Sequence, residues 1–138
     1  MKKIISWDFD DTLYDQASGR LYADSYELFK KQSADNDYIV VITTYRNKSD
    51  AAQIKEMLGN PFVVATGDTD KVAALMDKFP MLEVEIHYDD DVFTVNDFEA
   101  NNIGACLVYD PEEDNAEETL SMVNPGVKRF KIDKTKLI

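Results

Sequence analysis

Acidic side chains follow the first apolar segment of the chain. Asp8, Asp10 and Asp11 come directly after Ile4-Ile5-Ser6-Trp7, and Thr12 is next. Carboxylates at this spacing can share a divalent cation, and Mg²⁺ prefers oxygen ligands. Clustered carboxylates repel one another unless a cation or a proton offsets them. The segment therefore predicts either a metal site or carboxyl groups with raised pKa values, although acidic surface loops are also common.

A calcium-binding EF-hand loop does not fit the same segment. Counting from Asp8, Leu13 occupies the sixth position, where an EF-hand needs Gly. Gly19 occupies the twelfth position, where the loop needs Glu. The acids at the start of the chain therefore need another explanation.

Three further groups of polar residues could take part in phosphate chemistry. Thr43 and Thr44 end an apolar segment, and Arg46 follows them. A hydroxyl group beside free backbone N–H groups can bind phosphoryl oxygens, although a threonine there can also cap a helix. Lys71 begins a predicted helix and could neutralise a phosphoryl group, although most lysines are solvated. The acids of Asp89–Asp91 follow another apolar segment and could supply further metal ligands.

Apolar, β-branched segments alternate with segments of helical periodicity along the chain. We predict strands over 3–9, 38–42, 62–65, 84–88, 105–109 and 129–132, and helices over 23–31, 49–58, 70–79, 92–102 and 116–123. Ser49 is a candidate N-cap, and Gly59 is a candidate stop, for the second helix.

This alternation predicts an α/β protein, a three-layer Rossmann-like fold with a mainly parallel central sheet, and one domain over 1–138. Active sites of such sheets lie at the carboxyl ends of the strands. All the polar groups described above are predicted to lie at that edge.

Composition limits the partners and the compartment. The formal net charge is −12, and no Lys or Arg occurs between Lys78 and Lys128. Such a surface repels polyphosphate chains, so long nucleic acid is not an expected partner. Because Cys106 is the single cysteine, no disulfide can form within the chain, and we expect a cytoplasmic protein. No apolar run approaches the roughly 20 residues that cross a bilayer, so no membrane association is expected.

Four polar elements, in this order, resemble the motifs of the haloacid dehalogenase-like hydrolase superfamily, and the resemblance extends from Ile4 to about Gly104. The first motif, Asp-x-Asp-x-Thr after a strand, is matched by Asp8, Asp10 and Thr12, and the second, a Thr after another strand, by Thr44 with Thr43 as the fallback. The third motif, a Lys that opens a helix, is matched by Lys71. The fourth, an acidic pair after a further strand, is matched by Asp89 and Asp90. The pattern Thr-x-Arg, completed by Arg46, favours Thr44. Since Asp91 continues the acidic run, the last pair could be shifted by one residue.

The resemblance implies a magnesium-dependent phosphatase that works through an aspartyl-phosphate. Asp8 would be the nucleophile and Asp10 the general acid and base. Mg²⁺ would be held by the Asp8 carboxylate, the Asp10 carbonyl and the Asp89–Asp90 pair. Thr44 and Lys71 would orient and neutralise the transferring group.

The remaining assignments concern the substrate. The resemblance implies that Thr12, Thr43 and Arg46 contact it. We expect a small phosphomonoester, with a nucleotide among the candidates because Tyr14, Tyr22 or Tyr45 could stack on a base. The oligomeric state is left open.

The spacing between motifs leaves no room for the cap domain of larger family members. The segment from Leu13 to Asp37 holds only a predicted hairpin and one helix, and the segment from Thr44 to Lys71 only a helix, a strand and turns. The hairpin pairs 13–15 with 20–22 around Ser18-Gly19 and is a candidate flap over the site. His87, the single histidine, receives no role.

Two other functions compete with a phosphatase. A phospho-receiver domain also combines acids, a Thr and a Lys on an α/β fold, but its phospho-accepting Asp stands alone on a later strand. The second rival is a non-catalytic binding protein that retains the fold, although no motif position is missing here.

Overall fold

The computed structural model describes residues 2–138 of the chain. In chain order, the elements of this part are β1 Lys3–Trp7, β2 Tyr14–Asp15, β3 Arg20–Leu21, α1 Ala23–Ser33, β4 Tyr38–Thr44, a 3-10 turn Lys48–Asp50, α2 Ala51–Leu58, β5 Phe62–Ala65, α3 Lys71–Lys78, β6 Val84–Asp89, α4 Val92–Ala100, β7 Gly104–Tyr109, α5 Ala116–Ser121 and β8 Lys128–Lys131.

Six strands form one sheet in the order β5-β4-β1-β6-β7-β8, and every neighbouring pair is parallel. The predicted Rossmann-like fold is therefore confirmed, with a sheet that is parallel throughout. Counting only the strands of this sheet in chain order, the arrangement is 3-2-1-4-5-6. The order reverses between β1 and β6, so the crevice that binds ligands in such folds lies at their carboxyl ends.

Alternating side chains of the strands build two apolar clusters, one on each face of the sheet. Ile5 and Trp7 of β1 face the cluster that includes Phe29 of α1 and Ile54 of α2. Ile4 of β1 faces the opposite cluster, with side chains of α3 and α4. Because helices cover both faces, the strands are apolar on both sides, which explains the continuous apolar runs of the sequence.

Element boundaries differ from the prediction at several points. Strand β1 ends at Trp7 instead of residue 9, because the carbonyl of Phe9 accepts hydrogen bonds from Leu13 and Tyr14 and the chain turns there. Ser49 is not the N-cap of α2 but lies in the 3-10 turn, and Asp50 precedes the helix. Gly59 ends α2 with a φ of 80°, as predicted.

The hairpin after the first motif is confirmed. Tyr14 pairs with Leu21 and Asp15 with Arg20 in antiparallel register, and Gly19 takes a φ of 71° in the turn. Within the described residues, 13–37 hold only this hairpin and α1 as regular elements, and 45–70 hold only the 3-10 turn, α2 and β5. Neither segment forms a cap domain.

Across residues 2–138, no helix has both the length and the apolar character needed to span a membrane.

Candidate active site

A cavity of about 310 Å³ lies at the carboxyl ends of β1, β4 and β6. Its lining residues come from four of the polar segments that the sequence singles out, together with Tyr45: Asp8, Asp10, Thr44, Tyr45, Lys71, Asp89, Asp90 and Asp91. Asp11 and Arg46 are not among them, and Thr12 and Thr43 are fully buried nearby. A larger groove of about 930 Å³ lies beside β5, but none of these residues lines it.

Asp8 follows β1 and is almost completely buried. Its Oδ1 accepts a hydrogen bond from Lys71 Nζ at 2.9 Å, and its Oδ2 accepts one from Thr12 Oγ1 at 2.8 Å. Burial and the neighbouring charge of Asp89 raise the pKa of the Asp8 carboxyl well above its usual range, although Lys71 opposes this. A compensating cation beside Asp8 would favour its ionised form.

Lys71 opens α3 and is only 2% exposed. Its ammonium group donates to Asp8 and also to Asp89 Oδ2, at 2.8 Å. Burial opposes the charge of Lys71, but the two carboxylates outweigh it and raise the pKa of this lysine above its ordinary value. Lys71 is therefore a fixed positive charge between the ends of β1 and β6.

Asp89 ends β6, and both of its oxygens have partners. Oδ1 accepts from the backbone N–H of Asp91 at 3.1 Å, and Oδ2 accepts from Lys71 and from His87 Nε2, at 2.8 Å each. Burial favours the protonated acid, but the hydrogen bond from His87 and the charge of Lys71 outweigh it and hold the pKa of Asp89 well below its usual range. Asp89 is therefore a carboxylate anchored by its neighbours.

Asp90 has fewer partners. Its Oδ1 lies 3.1 Å from the Thr12 hydroxyl, whose single proton it shares with Asp8. Burial and the charge of Asp89 raise the pKa of Asp90 to about 6. Oxygens of Asp8, Asp89 and Asp90 all lie within 4.8 Å of one another. Three carboxyl groups thus converge, two of them bonded to Lys71, and this oxygen-only donor set is the kind that Mg²⁺ selects.

The third acid of the run has a separate partner. The Asp91 carboxylate caps α4, where its Oδ2 accepts from the Thr94 hydroxyl at 2.6 Å and from the Thr94 N–H at 3.3 Å. A carboxylate engaged in this way has less capacity left for a metal. The contacts thus favour Asp89–Asp90 over Asp90–Asp91 as the pair that faces Asp8.

Thr44 ends β4 and lines the cavity, and Arg46 follows it two residues later. Thr44 Oγ1 accepts from the backbone N–H of Arg46 at 3.2 Å. The Arg46 guanidinium donates to both carboxylate oxygens of Asp10, at 2.7 and 2.8 Å. Arg46 is therefore committed to an acid of the first motif in this structure.

Thr43 lies apart from the cavity. It is fully buried, and its hydroxyl is 2.7 Å from Ser6 Oγ. Ser6 Oγ is in turn 2.8 Å from His87 Nδ1. The sequence alone predicts no role for Ser6 or His87. The sequence nevertheless carries a signal for these two residues. Ser6 and His87 are polar strand residues two positions before Asp8 and Asp89, and residues i and i+2 of a strand lie on the same face of the sheet.

The three candidate aromatic residues differ in access. Tyr45 is 49% exposed, lines the cavity and has the Lys71 ammonium group 4.6 Å from its ring centre. Tyr22 is 4% exposed, and Tyr14 is partly buried and stacks on Phe9. Of the three, only Tyr45 presents its ring both to solvent and to the cavity.

Comparisons with known proteins bear on the fold. No protein-family model matches the chain, and no curated protein matches it. The cobalt-bound deoxy-D-mannose-octulosonate 8-phosphate phosphatase from Haemophilus influenzae matches with a TM-score of 0.59 at 17% identity, covering 93% of this chain and 76% of that one.

A second solved structure agrees with the first. The 3-deoxy-D-manno-octulosonate 8-phosphate phosphatase from Moraxella catarrhalis, in complex with magnesium ion, phosphate ion and KDO, has a TM-score of 0.56 at 20% identity, covering 94% of this chain and 76% of that one. The chain therefore has the fold of these two phosphatases.

Proposed function

We propose that the chain is a Mg²⁺-dependent phosphomonoester hydrolase in which Asp8 is the nucleophile. The observation that carries this proposal is the convergence of the Asp8, Asp89 and Asp90 carboxyl groups within 4.8 Å, with Lys71 bonded to Asp8 and Asp89. Two structural neighbours with the same fold are phosphatases, and one of them contains a magnesium ion and a phosphate ion.

Asp8 and Asp90 are the carboxyl groups with most capacity left for a metal. Asp8 accepts two hydrogen bonds, and Asp90 shares the Thr12 proton of one of them, whereas Asp89 is held by Lys71, His87 and the Asp91 N–H. We therefore assign Mg²⁺ to Asp8, Asp90 and the Asp10 carbonyl, with Asp89 beside it. When bound, Mg²⁺ supplies charge that offsets the repulsion between these carboxylates and an incoming phosphate.

The proposed reaction has two steps. In the first, an oxygen of Asp8 attacks phosphorus, the P–O bond to the leaving group breaks, and Asp10 gives a proton to the leaving oxygen. In the second, Asp10 takes a proton from water, the water oxygen attacks phosphorus, and the bond between phosphorus and Asp8 breaks. Phosphate leaves, and both side chains return to their starting states.

Neutralisation of the transferring group is the proposed role of Lys71 and Thr44. Lys71 lies 2.9 Å from Asp8, so its charge is beside the position that a phosphoryl group would occupy on that carboxylate. The Thr44 hydroxyl faces the same cavity from β4. Preorganised donors of this kind reduce the barrier without reorganising during the reaction. Thr12, which donates to Asp8, orients the nucleophile.

Arg46 has to change partner in this scheme. The guanidinium occupies both carboxylate oxygens of Asp10, so neither oxygen is free to exchange a proton with the leaving group or with water. A phosphate dianion is a competing partner for Arg46, since its oxygens match the fork of donors. Substrate binding would then release Asp10 for proton transfer, which gives Arg46 a role in substrate binding.

The substrate is proposed to be a small phosphomonoester whose leaving group packs on Tyr45. This residue is the exposed aromatic side chain at the cavity, and Lys71 is the one cationic side chain among the lining residues. A nucleoside monophosphate or an aryl phosphate offers a flat face to Tyr45. The two neighbours act on the phosphate of a sugar acid, so sugar phosphates are the comparison class.

The strand order bears on the signalling alternative. Phospho-receiver domains have the flavodoxin-like order 2-1-3-4-5, whereas this sheet has the order 3-2-1-4-5-6. That difference supports a hydrolase over a receiver. Only a measurement of turnover distinguishes the hydrolase from a non-catalytic protein with this fold.

The test is hydrolysis of 4-nitrophenyl phosphate in three conditions: with Mg²⁺, with excess chelator, and after Mg²⁺ is restored. We expect multiple turnovers, loss of activity in chelator, and recovery. A single phosphorylation that persists on the chain would indicate a receiver, and absence of any turnover a binding protein. Full activity in chelator would contradict the metal assignment.

A further inference from the structure

Three polar side chains cross the interior of the protein below the site. Ser6 of β1, Thr43 of β4 and His87 of β6 are each 0% exposed. Their strands are adjacent in the sheet, and Ser6 is the register partner of His87. His87 stacks on Phe98 of α4, with ring centres 4.2 Å apart. These polar groups therefore lie on the α3–α4 face, which is otherwise built from apolar side chains.

The hydrogen bonds of this row have one consistent direction. Asp89 is a carboxylate and can only accept, so His87 Nε2 donates to it. The ring is fully buried and stacked on Phe98, and such an environment favours the neutral imidazole. In the neutral ring Nδ1 then accepts, so the Ser6 hydroxyl donates to it. Ser6 Oγ accepts in turn from Thr43. Each of the three residues therefore donates to the next, and the row ends on Asp89.

A buried row of polar side chains lowers the stability of a small protein. Burying hydroxyl and imidazole groups costs free energy that hydrogen bonds only offset, and apolar residues of similar shape would fill the same face at less cost. The row is also fully satisfied, and networks of this kind fix one arrangement of their members. Its end point is the carboxylate that holds Lys71 at 2.8 Å.

We infer that Thr43, Ser6 and His87 are positioning residues that fix the orientation of Asp89 and, through it, the position of the Lys71 ammonium group beside Asp8. This role rests on the proposed function, in which Lys71 neutralises the transferring phosphoryl group. His87 does not contact the substrate. It supplies one of the three hydrogen bonds that hold the Asp89 carboxylate, so its loss leaves the orientation of this carboxylate, and the position of Lys71, less firmly fixed.

A pair of substitutions at His87 tests the role. His87→Phe keeps the stacking on Phe98 but removes both hydrogen bonds. His87→Gln keeps an amide that can donate to Asp89 and accept from Ser6. Loss of a partner of this kind costs roughly 10- to 100-fold in activity. We expect such a loss of kcat on 4-nitrophenyl phosphate for His87→Phe with KM nearly unchanged, and recovery of most of the activity in His87→Gln.

Two buried serines provide a matched control. Ser25 is also 0% exposed, and among the described residues its Oγ has no hydrogen-bond partner. We expect Ser6→Ala to reduce kcat several-fold and Ser25→Ala to leave it unchanged. Thermal unfolding of all four variants identifies any that fail to fold.

Because His87 is the only histidine, its ring nitrogens can be observed directly in the untagged chain. Long-range ¹H–¹⁵N NMR of the wild type at pH 7 should show a neutral ring protonated at Nε2, with an unprotonated Nδ1. Ser6→Ala should weaken this preference. A ring protonated at Nδ1 would overturn the direction of the row.

The outcomes separate this role from the proposed function. An active wild type together with a folded His87→Phe variant of unchanged kcat would overturn the positioning role and leave the phosphatase intact. A wild type without turnover on any phosphomonoester would refute the proposed function, and the positioning role with it. Impaired activity in His87→Gln together with near-normal activity in His87→Phe would show that ring packing matters and the hydrogen bond does not.

Discussion

Arg46 holds Asp10 through both carboxylate oxygens, with Nε 2.8 Å from Oδ2 and Nη2 2.7 Å from Oδ1. The hydrogen bond to Asp10 raises the pKa of Arg46 above its ordinary value, although partial burial opposes this. The guanidinium also lies over the rings of Phe9 and Tyr14, at 5.2 and 5.4 Å. The proposed acid is therefore restrained by a side chain that itself packs on two aromatic rings.

Replacing Arg46 tests whether it exchanges Asp10 for the substrate. Arg46→Lys keeps the charge but loses the paired donors, and a charge-assisted hydrogen bond is worth about 1.5–3 kcal/mol, or roughly 10- to 100-fold. We expect KM for phosphomonoesters to rise by about tenfold, to a similar degree for good and poor leaving groups. Arg129→Lys, on exposed β8, is the control. A loss confined to kcat with poor leaving groups would mean that Arg46 acts only on Asp10.

Lys71 should matter for stability in the absence of metal. Lys71→Met leaves the buried Asp8 and Asp89 without their shared cation, and breaking a buried ion pair costs about 3–5 kcal/mol. We expect urea unfolding in chelator to show a loss of this size, and Mg²⁺ to restore part of it. Lys78→Met, at the exposed end of the same helix, should change stability by less than about 0.5 kcal/mol. Equal stability of the two variants would contradict the ion-pair account.

The raised pKa of Asp90 predicts that the stability of the metal-free protein depends on pH. Its pKa of about 6 lies above the ordinary value of 3.8, so folding favours the protonated form. The stabilisation is complete below about pH 4 and is lost as pH rises through 6. The pKa of Asp89 is shifted in the opposite direction, so its contribution to the stability of the fold is lost only as the pH falls through and below 3.8. Between pH 4.5 and 7 both the acids with raised pKa values and His87, whose lowered pKa acts in the opposite sense, contribute, so comparison with Asp90→Asn is needed to isolate the acid.

The measurement is the free energy of unfolding in chelator at pH 4.5 and at pH 7. Relative to Asp90→Asn, the wild type should lose roughly 1–3 kcal/mol over this interval. Saturating Mg²⁺ should reduce the difference, because a bound cation favours the ionised carboxylate. If the two proteins respond identically in chelator, Asp90 is not the strained acid of the site.

Tyr45 is expected to determine which leaving groups bind well. Stacking of a base on an aromatic side chain is worth about 1–3 kcal/mol, so Tyr45→Ala should raise KM for nucleoside monophosphates by roughly 5- to 100-fold. KM for a small, non-aromatic phosphomonoester such as glycerol phosphate should change much less. Phe62→Ala, at the opposite end of the sheet, controls for loss of an exposed aromatic residue. Equal changes on both substrates would exclude stacking.

The architecture could be predicted because each strand carries its own signal. Strand β4 is apolar and β-branched as far as Ile42, which indicates a strand covered on both faces, and polar residues begin where the strands end. The meeting of Asp8, Lys71 and Asp89 followed from the topology, because the carboxyl ends of neighbouring parallel strands share one edge.

What could not be predicted depends on side-chain direction. Thr43 and Thr44 are adjacent in the sequence, and only the pleat decides that Thr44 faces the cavity while Thr43 faces Ser6. His87 resembles any strand histidine until its ring is placed beside Asp89. The pairing of Arg46 with Asp10 joins residues 36 positions apart, and no local pattern encodes it.

The central claim is that Asp8 is the nucleophile of a Mg²⁺-dependent phosphatase, and Asp8→Asn tests it most directly. Asp11→Asn is the matched control, since Asp11 is a neighbouring acid with a φ of 62°, a conformation that Asn also tolerates. The measurement is the rate of phosphate release from 4-nitrophenyl phosphate with saturating Mg²⁺. We expect Asp8→Asn to abolish turnover while remaining folded, and Asp11→Asn to stay within about threefold of the wild type, since surface substitutions usually have small effects. Near-normal turnover by a correctly folded Asp8→Asn variant would contradict the account.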